Sequence, residues 1–225
     1  MRRIAPLLAG LVLGTHAFAL SLADLSQGDA SGGLKDALSQ GAQLAVRQLG
    51  QPGGFSNDPA LRIELPGGLG KLAKTMKLMG MGSQVEQLEA SMNQAAEAAV
   101  PQAGSLLLDA VRKMTVADAK EILSGSEDAA TQYLDRSSRE QIRAKFLPIV
   151  KQATDQVGLA RQYNAFAAKA AGFGAIDAKS ANLENYVTER ALDGLFEVIA
   201  GEEAKIRENP TAAATSLAKK VFGAL

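Results

Sequence analysis

Between Met114 and Val150 the chain marks helix starts so regularly that little besides a helical fold is open to it. Thr115 precedes Asp118, Ser124 precedes Glu127 and Ser137 precedes Glu140, each by three residues. At that spacing a hydroxyl caps a first-turn N–H while the acid reaches back to the cap, each cap contributing roughly 1 kcal/mol. Behind these caps Val116, Ala119, Ile122 and Leu123, then Ala130, Tyr133 and Leu134, then Ile142, Phe146, Ile149, Val150, Ala153 and Val157 recur at helical spacing. The pattern predicts a short helix, a turn at Gly125, a second short helix, and a longer third bent at Pro148. Aromatic residues at 4% and the absence of tryptophan suit closely packed helices better than a sandwich, which needs β-branched and aromatic faces. The expected class is all-α: a single multi-helix domain over residues 34–225, with at most one short strand or hairpin near 61–65.

The start of the chain reads as an address. Arg2 and Arg3 precede an apolar run from Ile4 to Gly14, and Ala17-Phe18-Ala19 has the small-x-small pattern of a signal-peptidase site. The run is too short for a bilayer-spanning helix, which needs about 20 residues. The expectation is therefore cleavage after Ala19, a periplasmic or otherwise exported product, and a flexible lead over 20–33.

Cleavage would take two of the 24 basic side chains and no acid, leaving a formal charge of −2. No positive excess then draws the chain to nucleic acid. His16, the one histidine, leaves with the leader, and there is no cysteine. Imidazole and thiolate nucleophiles, the common zinc sites and disulfides are all excluded from the mature chain, and no cofactor or metal is expected.

Elsewhere, Leu34, Leu38, Ala42, Ala45, Val46 and Leu49 predict a helix that Gly50, Pro52, Gly53 and Gly54 end. Leu61-Arg62-Ile63-Glu64-Leu65 alternates as a strand would. A lysine-bearing amphipathic segment spans Leu69 to Met79. Ser83 with Glu86 then opens a helix running to Pro101, and another spans Leu106 to Met114. A loop is expected within 158–181. Asn182 or Asn185 caps a helix bearing Leu192, Leu195, Phe196 and Ile199, ended at Asn209-Pro210, and Thr211 opens a last helix carrying Leu217, Val221 and Phe222.

Several motifs together are distinctive: Gly53-Gly54-Phe55 with Asn57-Asp58-Pro59, Arg62-Ile63-Glu64-Leu65-Pro66, Asn93-Gln94-Ala95-Ala96-Glu97, Met114-Thr115-Val116-Ala117-Asp118-Ala119 and Phe146-Leu147-Pro148-Ile149-Val150. Leu192-Asp193-Gly194-Leu195-Phe196, Asn209-Pro210 and Lys219-Lys220-Val221-Phe222-Gly223 complete the set. In these the chain resembles a bacterial family catalogued as domain of unknown function 4197, over nearly the whole mature length except 158–181. The resemblance implies an exported, mostly helical protein and supplies no catalytic residues to carry over.

Motifs of known chemistry fail on inspection. Gly70-Lys71 is followed by Leu72 and lacks the first glycine of a phosphate loop, Gly80 and Gly82 lack a third glycine, and Ser216-Leu217-Ala218-Lys219 has no companion motif. The outline of a helix-turn-helix over Thr115–Leu134 places Glu127, Asp128 and Asp135 where phosphates would repel them.

Carboxylates and a few polar groups remain. Glu89, Asn93 and Glu97 fall at i, i+4 and i+8 and can edge a groove, the plainer reading being an exposed helix edge. Glu202 and Glu203 diverge by about 100° on a helix and, with Lys205, Arg207 and Glu208, read most simply as a solvated face. Arg62 can hold an anion, while Tyr133 and Tyr163 lie on apolar faces. The candidate binding residues are thus Arg62, Asn93, Glu97, Tyr133, Glu202, Glu203 and Arg207. The functional expectation is a non-enzymatic envelope protein that binds a partner protein or an apolar ligand between its helices. The alternative is a carboxylate-dependent hydrolase of cell-wall polymers using Glu97, Glu202 or Glu203. Contact with a membrane surface through Lys71, Lys74 and Lys77 ranks below both.

Overall fold

The structure is a computed structural model and describes residues 25–66, 82–155, 161, 163–164 and 182–225. The leader, the lysine-bearing segment and most of 158–181 lie outside these residues; Arg161, Tyr163 and Asn164 are helical. The described chain is all-α: α1 Gln27–Leu49, α2 Gly82–Ala99, α3 Ala103–Lys113, α4 Val116–Leu123, α5 Ala129–Asp155, α6 Leu183–Glu208 and α7 Ser216–Phe222. Single 3-10 turns at Val100–Gln102 and Pro210–Ala212 join α2 to α3 and α6 to α7.

The long helices α5 and α6 run antiparallel at the centre, with Arg139 opposite Asp193 and Arg143 opposite Glu189. α2 packs on both, and α1 packs on α6, α3, α4 and α7. One core joins them, with Leu34, Leu49, Leu107, Leu134, Ile142, Phe146 and Leu192 essentially without exposure.

Where the helices begin and end follows from local chemistry, and several boundaries differ from the sequence reading. α1 starts at Gln27, ahead of Leu34, because the Ser26 hydroxyl accepts from the Asp29 N–H at 3.0 Å; residues 27–33 are helix, not a flexible lead. Thr115 and Asp118 form the expected capping box on α4. Neither Ser124 nor Ser137 caps a helix start. The Ser124 hydroxyl donates back to the Lys120 carbonyl and closes α4, and Ser137 donates to Tyr133 within α5. The expected second and third helices are one, because the buried stripe Ala130, Leu134, Ser138, Ile142, Phe146, Val150, Thr154 is unbroken. Ser138 fits that stripe because its hydroxyl donates to the Leu134 carbonyl at 2.6 Å. Pro148 sits inside this helix as expected. Asn182 caps α6, and Thr215 rather than Thr211 opens α7, its hydroxyl accepting from the Ala218 N–H.

α1 and α7 approach closely because Gly33 has no side chain. A Cβ there would stand 2.5 Å from a Val221 methyl and 2.7 Å from the Leu217 carbonyl oxygen. Lys220 reaches Asp29, and Thr215 reaches Asp36, along the same seam.

No strand forms among the described residues, and the alternating segment 61–65 is a correction to the sequence reading. Leu61 and Ile63 are buried and Arg62 and Glu64 exposed, as alternation demands. The ladder partner, however, is an asparagine side chain rather than a second strand.

Candidate functional site

That asparagine is Asn93 of α2. Its Oδ1 accepts from the Ile63 N–H at 2.9 Å and its Nδ2 donates to the Ile63 carbonyl at 3.0 Å, so one carboxamide does for Ile63 what a neighbouring strand would do. One turn on, the buried Glu97 accepts from the N–H groups of Phe55 and Ser56 at 3.1 and 3.3 Å and from the Ser56 hydroxyl at 3.3 Å. Arg62 clasps the same loop from outside, its Nε and Nη2 donating to the Ser56 carbonyl. The Tyr186 hydroxyl donates to the Glu64 carbonyl. Phe55 is thereby seated fully buried beside Gly194, where a Cβ would come within 2.8 Å of its ring. Asn93 and Glu97 are thus taken up by residues 55, 56 and 63 of the same chain.

Glu203, 5% exposed, is placed by α6 at the start of α5. It accepts from the N–H groups of Ala130 and Thr131 at 3.1 and 2.8 Å and from the Thr131 hydroxyl at 2.8 Å. It is the N-terminal cap of a helix some seventy residues away in sequence. Arg207 pairs with it through Nε and Nη2 at 3.1 and 2.9 Å, donates to the Ile122 carbonyl at the end of α4, and lies over the Phe222 ring. The pair bolts the α4–α5 junction and α7 to α6. Glu202 points elsewhere and bonds Lys205 at 2.6 Å. Tyr133 packs against the core, where burial, aided by the charge of Asp118, pushes its phenol above the usual range. The seven candidates thus divide between a loop clamp, a helix-junction clamp and two separate positions.

Sequence reasoning missed the polar seam between α5 and α6. Arg139 bonds Glu189 and Asp193 at 2.9 and 2.6 Å, and Arg143 bonds Glu189 and Asn185 at 2.7 and 3.1 Å. Burial acts to raise the Glu189 carboxyl, but hydrogen bonds and charge from the two arginines outweigh it and hold that carboxyl below its usual range. The signal was present as charged residues four apart on both helices, 139 and 143 against 189 and 193. Farther along, a cleft of about 440 Å³ is lined by Leu147, Lys151, Asp155, Arg161, Asn164, Asn182, Glu184 and Asn185. Glu184 is 5% exposed and accepts, among the described residues, only from Asn164 Nδ2, at 3.0 and 3.3 Å to its two oxygens. Nearby, burial raises the Tyr163 phenol, with the negative charge of Glu184 adding to the effect.

The enclosed apolar space between α1, α5, α6 and α7 amounts to about 10 Å³, too little for a ligand. Among the described residues no helix is long and apolar enough to cross a membrane, and no group of three or more acids, histidines or cysteines is placed to hold a metal ion. Comparison with curated proteins and with solved structures yields no match. A family model does match, over residues 24–223. The chain therefore belongs to the family described as "Protein of unknown function (DUF4197)".

Proposed function

We propose that this is an exported, non-enzymatic envelope protein that acts by binding a polar partner along the open α5–α6 seam. The observation that carries the reading is the occupation of two buried acids, Glu97 and Glu203. Glu97 and Glu203, the carboxylates an acid/base mechanism would draw on, each accept three hydrogen bonds from the protein's own backbone and hydroxyl groups. They also stand in different clamps and face no common cleft, whereas a glycosidase needs two carboxylates across one bond. The space between α1, α5, α6 and α7, roughly 10 Å³, has no room for an apolar guest at that place. The polar seam supplies a surface of the right kind, with side chains from two helices already fixed against one another by ion pairs.

Chemical cross-linking in intact cells, followed by purification of the processed chain, tests the proposal. The expected result is a chain beginning at Leu20 in the periplasmic fraction, cross-linked through the α5–α6 seam to one recurring partner and inert towards isolated cell wall. Turnover of wall polymer that Glu97→Gln or Glu203→Gln abolishes without unfolding the protein overturns it.

A further inference from the structure

Three acids among the described residues are buried to a similar degree, and one is poorly satisfied. Glu97 has three donors, and Glu203 has three donors and an arginine. Glu184 has a single amide nitrogen shared between its oxygens and, among the described residues, no ion pair. Removing a carboxylate from water is strongly unfavourable unless a cation or several donors replace the water. Glu184 has neither an ion pair nor several donors among the described residues, being supported otherwise by the charge of Lys151 and its place in the first turn of α6, and it lines a cleft whose roughly 440 Å³ lies in the range of small-molecule sites.

The rest of the cleft carries the complementary groups. Lys151 is bonded to Asp155 at 2.8 Å but largely exposed, and Arg161 pairs with no acid among the described residues. The side-chain N–H groups of Asn182 and Asn185 likewise donate to nothing among the described residues. The lining holds two cations and two acids, so the cleft is formally neutral with its signs separated. Leu147 is the one apolar member of the lining. A neutral ligand with an ammonium and a carboxylate at a short separation, and amide groups between them, matches each of these features. A lipid tail matches none, and a simple anion leaves Glu184 unanswered.

We propose that this cleft binds a short zwitterionic peptide, its ammonium group on Glu184 and its carboxylate on Arg161 and Lys151. The inference rests on the binding reading above and gives that reading a ligand class.

The test is an NMR titration of the ¹⁵N-labelled processed protein with alanyl-alanine, its N-acetyl derivative and its C-terminal amide. Saturable shifts at Asn182, Asn185 and Asn164 are expected with the free dipeptide. Acetylation, which removes the ammonium charge, should weaken binding about tenfold or more, as loss of a charge-assisted hydrogen bond does. Amidation should weaken it less, and Arg161→Ala should reproduce that loss while abolishing the difference between acid and amide. Glu184→Gln should remove the preference for the free amine. Because the acetyl comparison is made on the unaltered protein, it decides the matter even if that variant does not fold. Equal affinity for free and acetylated peptide, or no saturable shift up to about 10 mM, where a millimolar affinity already saturates, overturns the proposal. In that event a partner still captured through the seam leaves the binding reading standing, whereas cleavage of alanyl-alanine in the same tube sinks the binding reading itself.

Discussion

Glu203→Ala is the perturbation that most directly measures what holds the helices together. The substitution strips the cap from α5, leaves the Ala130 and Thr131 N–H groups buried without acceptors, and deprives Arg207 of its carboxylate. Loss of a cap costs about 0.5–2 kcal/mol, each orphaned buried donor about 1–3 kcal/mol, and breaking a buried ion pair about 3–5 kcal/mol. These overlap, since one carboxylate serves them all, so the expected loss is about 3–5 kcal/mol rather than their sum. For a chain of this size that corresponds to a fall of roughly 6–20 °C in Tm. Arg207→Met, which leaves Glu203 its three α5 donors, should lower stability by only about 1–3 kcal/mol. The double variant should lose less than the two singles together. Urea unfolding followed by circular dichroism at 222 nm, with equal m-values required across the set, supplies the numbers. A loss below about 1 kcal/mol for Glu203→Ala, or a larger loss for Arg207→Met, would refute the assignment of Glu203 as the cap of α5.

Three further outcomes follow from the same geometry. Asn93→Ala should raise the hydrogen-exchange rate of the Ile63 amide by about tenfold or more while leaving the α6 amides near Leu192 protected, because only the carboxamide bridges Ile63 to α2. With no tryptophan or cysteine present, absorbance at 295 nm reports the three tyrosines alone; all three are raised above 10.0, so none should ionise at its ordinary pH in the folded protein, and stability should fall as pH climbs past about 10. The Glu189 carboxyl is depressed below 4.5 by Arg139 and Arg143, so its contribution is full above that pH and lost as pH falls through the lower folded value; Glu189→Gln should therefore destabilise at pH 7 and converge with the parent protein in acid.

The sequence displayed much, though not all, of what is decided within a few residues, the Ser26 and Thr215 caps being exceptions. The Thr115 box, the Asn182 cap, the stripe of α6 and the stop at Gly50 each depend on neighbours along the chain, and each is where periodicity and capping chemistry put it. Ser124 and Ser137 misled because serine three residues before an acid is equally at home closing a helix or back-bonding within one. Which of these occurs depends on whether the apolar stripe continues, and Ser138 concealed its continuity by placing a hydroxyl in a buried position. Segment 61–65 misled in a different way. Its alternation correctly reports one face in and one face out, but alternation does not say what supplies the hydrogen bonds, and here Asn93 does. Asn93, Glu97, Glu203 and Arg207 stood out by residue type and spacing, and the Glu203–Arg207 pair is local, whereas their distant partners sit 30 to 85 positions away and no local pattern encodes them. The same distance hid the seam, where each helix showed half of a charge array.

The fit of α7 over Gly33 sets the order in which this molecule can be finished during synthesis. Every other described helix lies between α1 and α7 in the chain, so those helices are made before the small-residue face of α1 receives its cover. A chain stopped just upstream of Thr215 would carry the rest of the described core and still lack Ala218, Val221 and Phe222, leaving an apolar trough open to proteases and to other chains. The packing of α1 is therefore complete only once Ser216–Phe222 is in place.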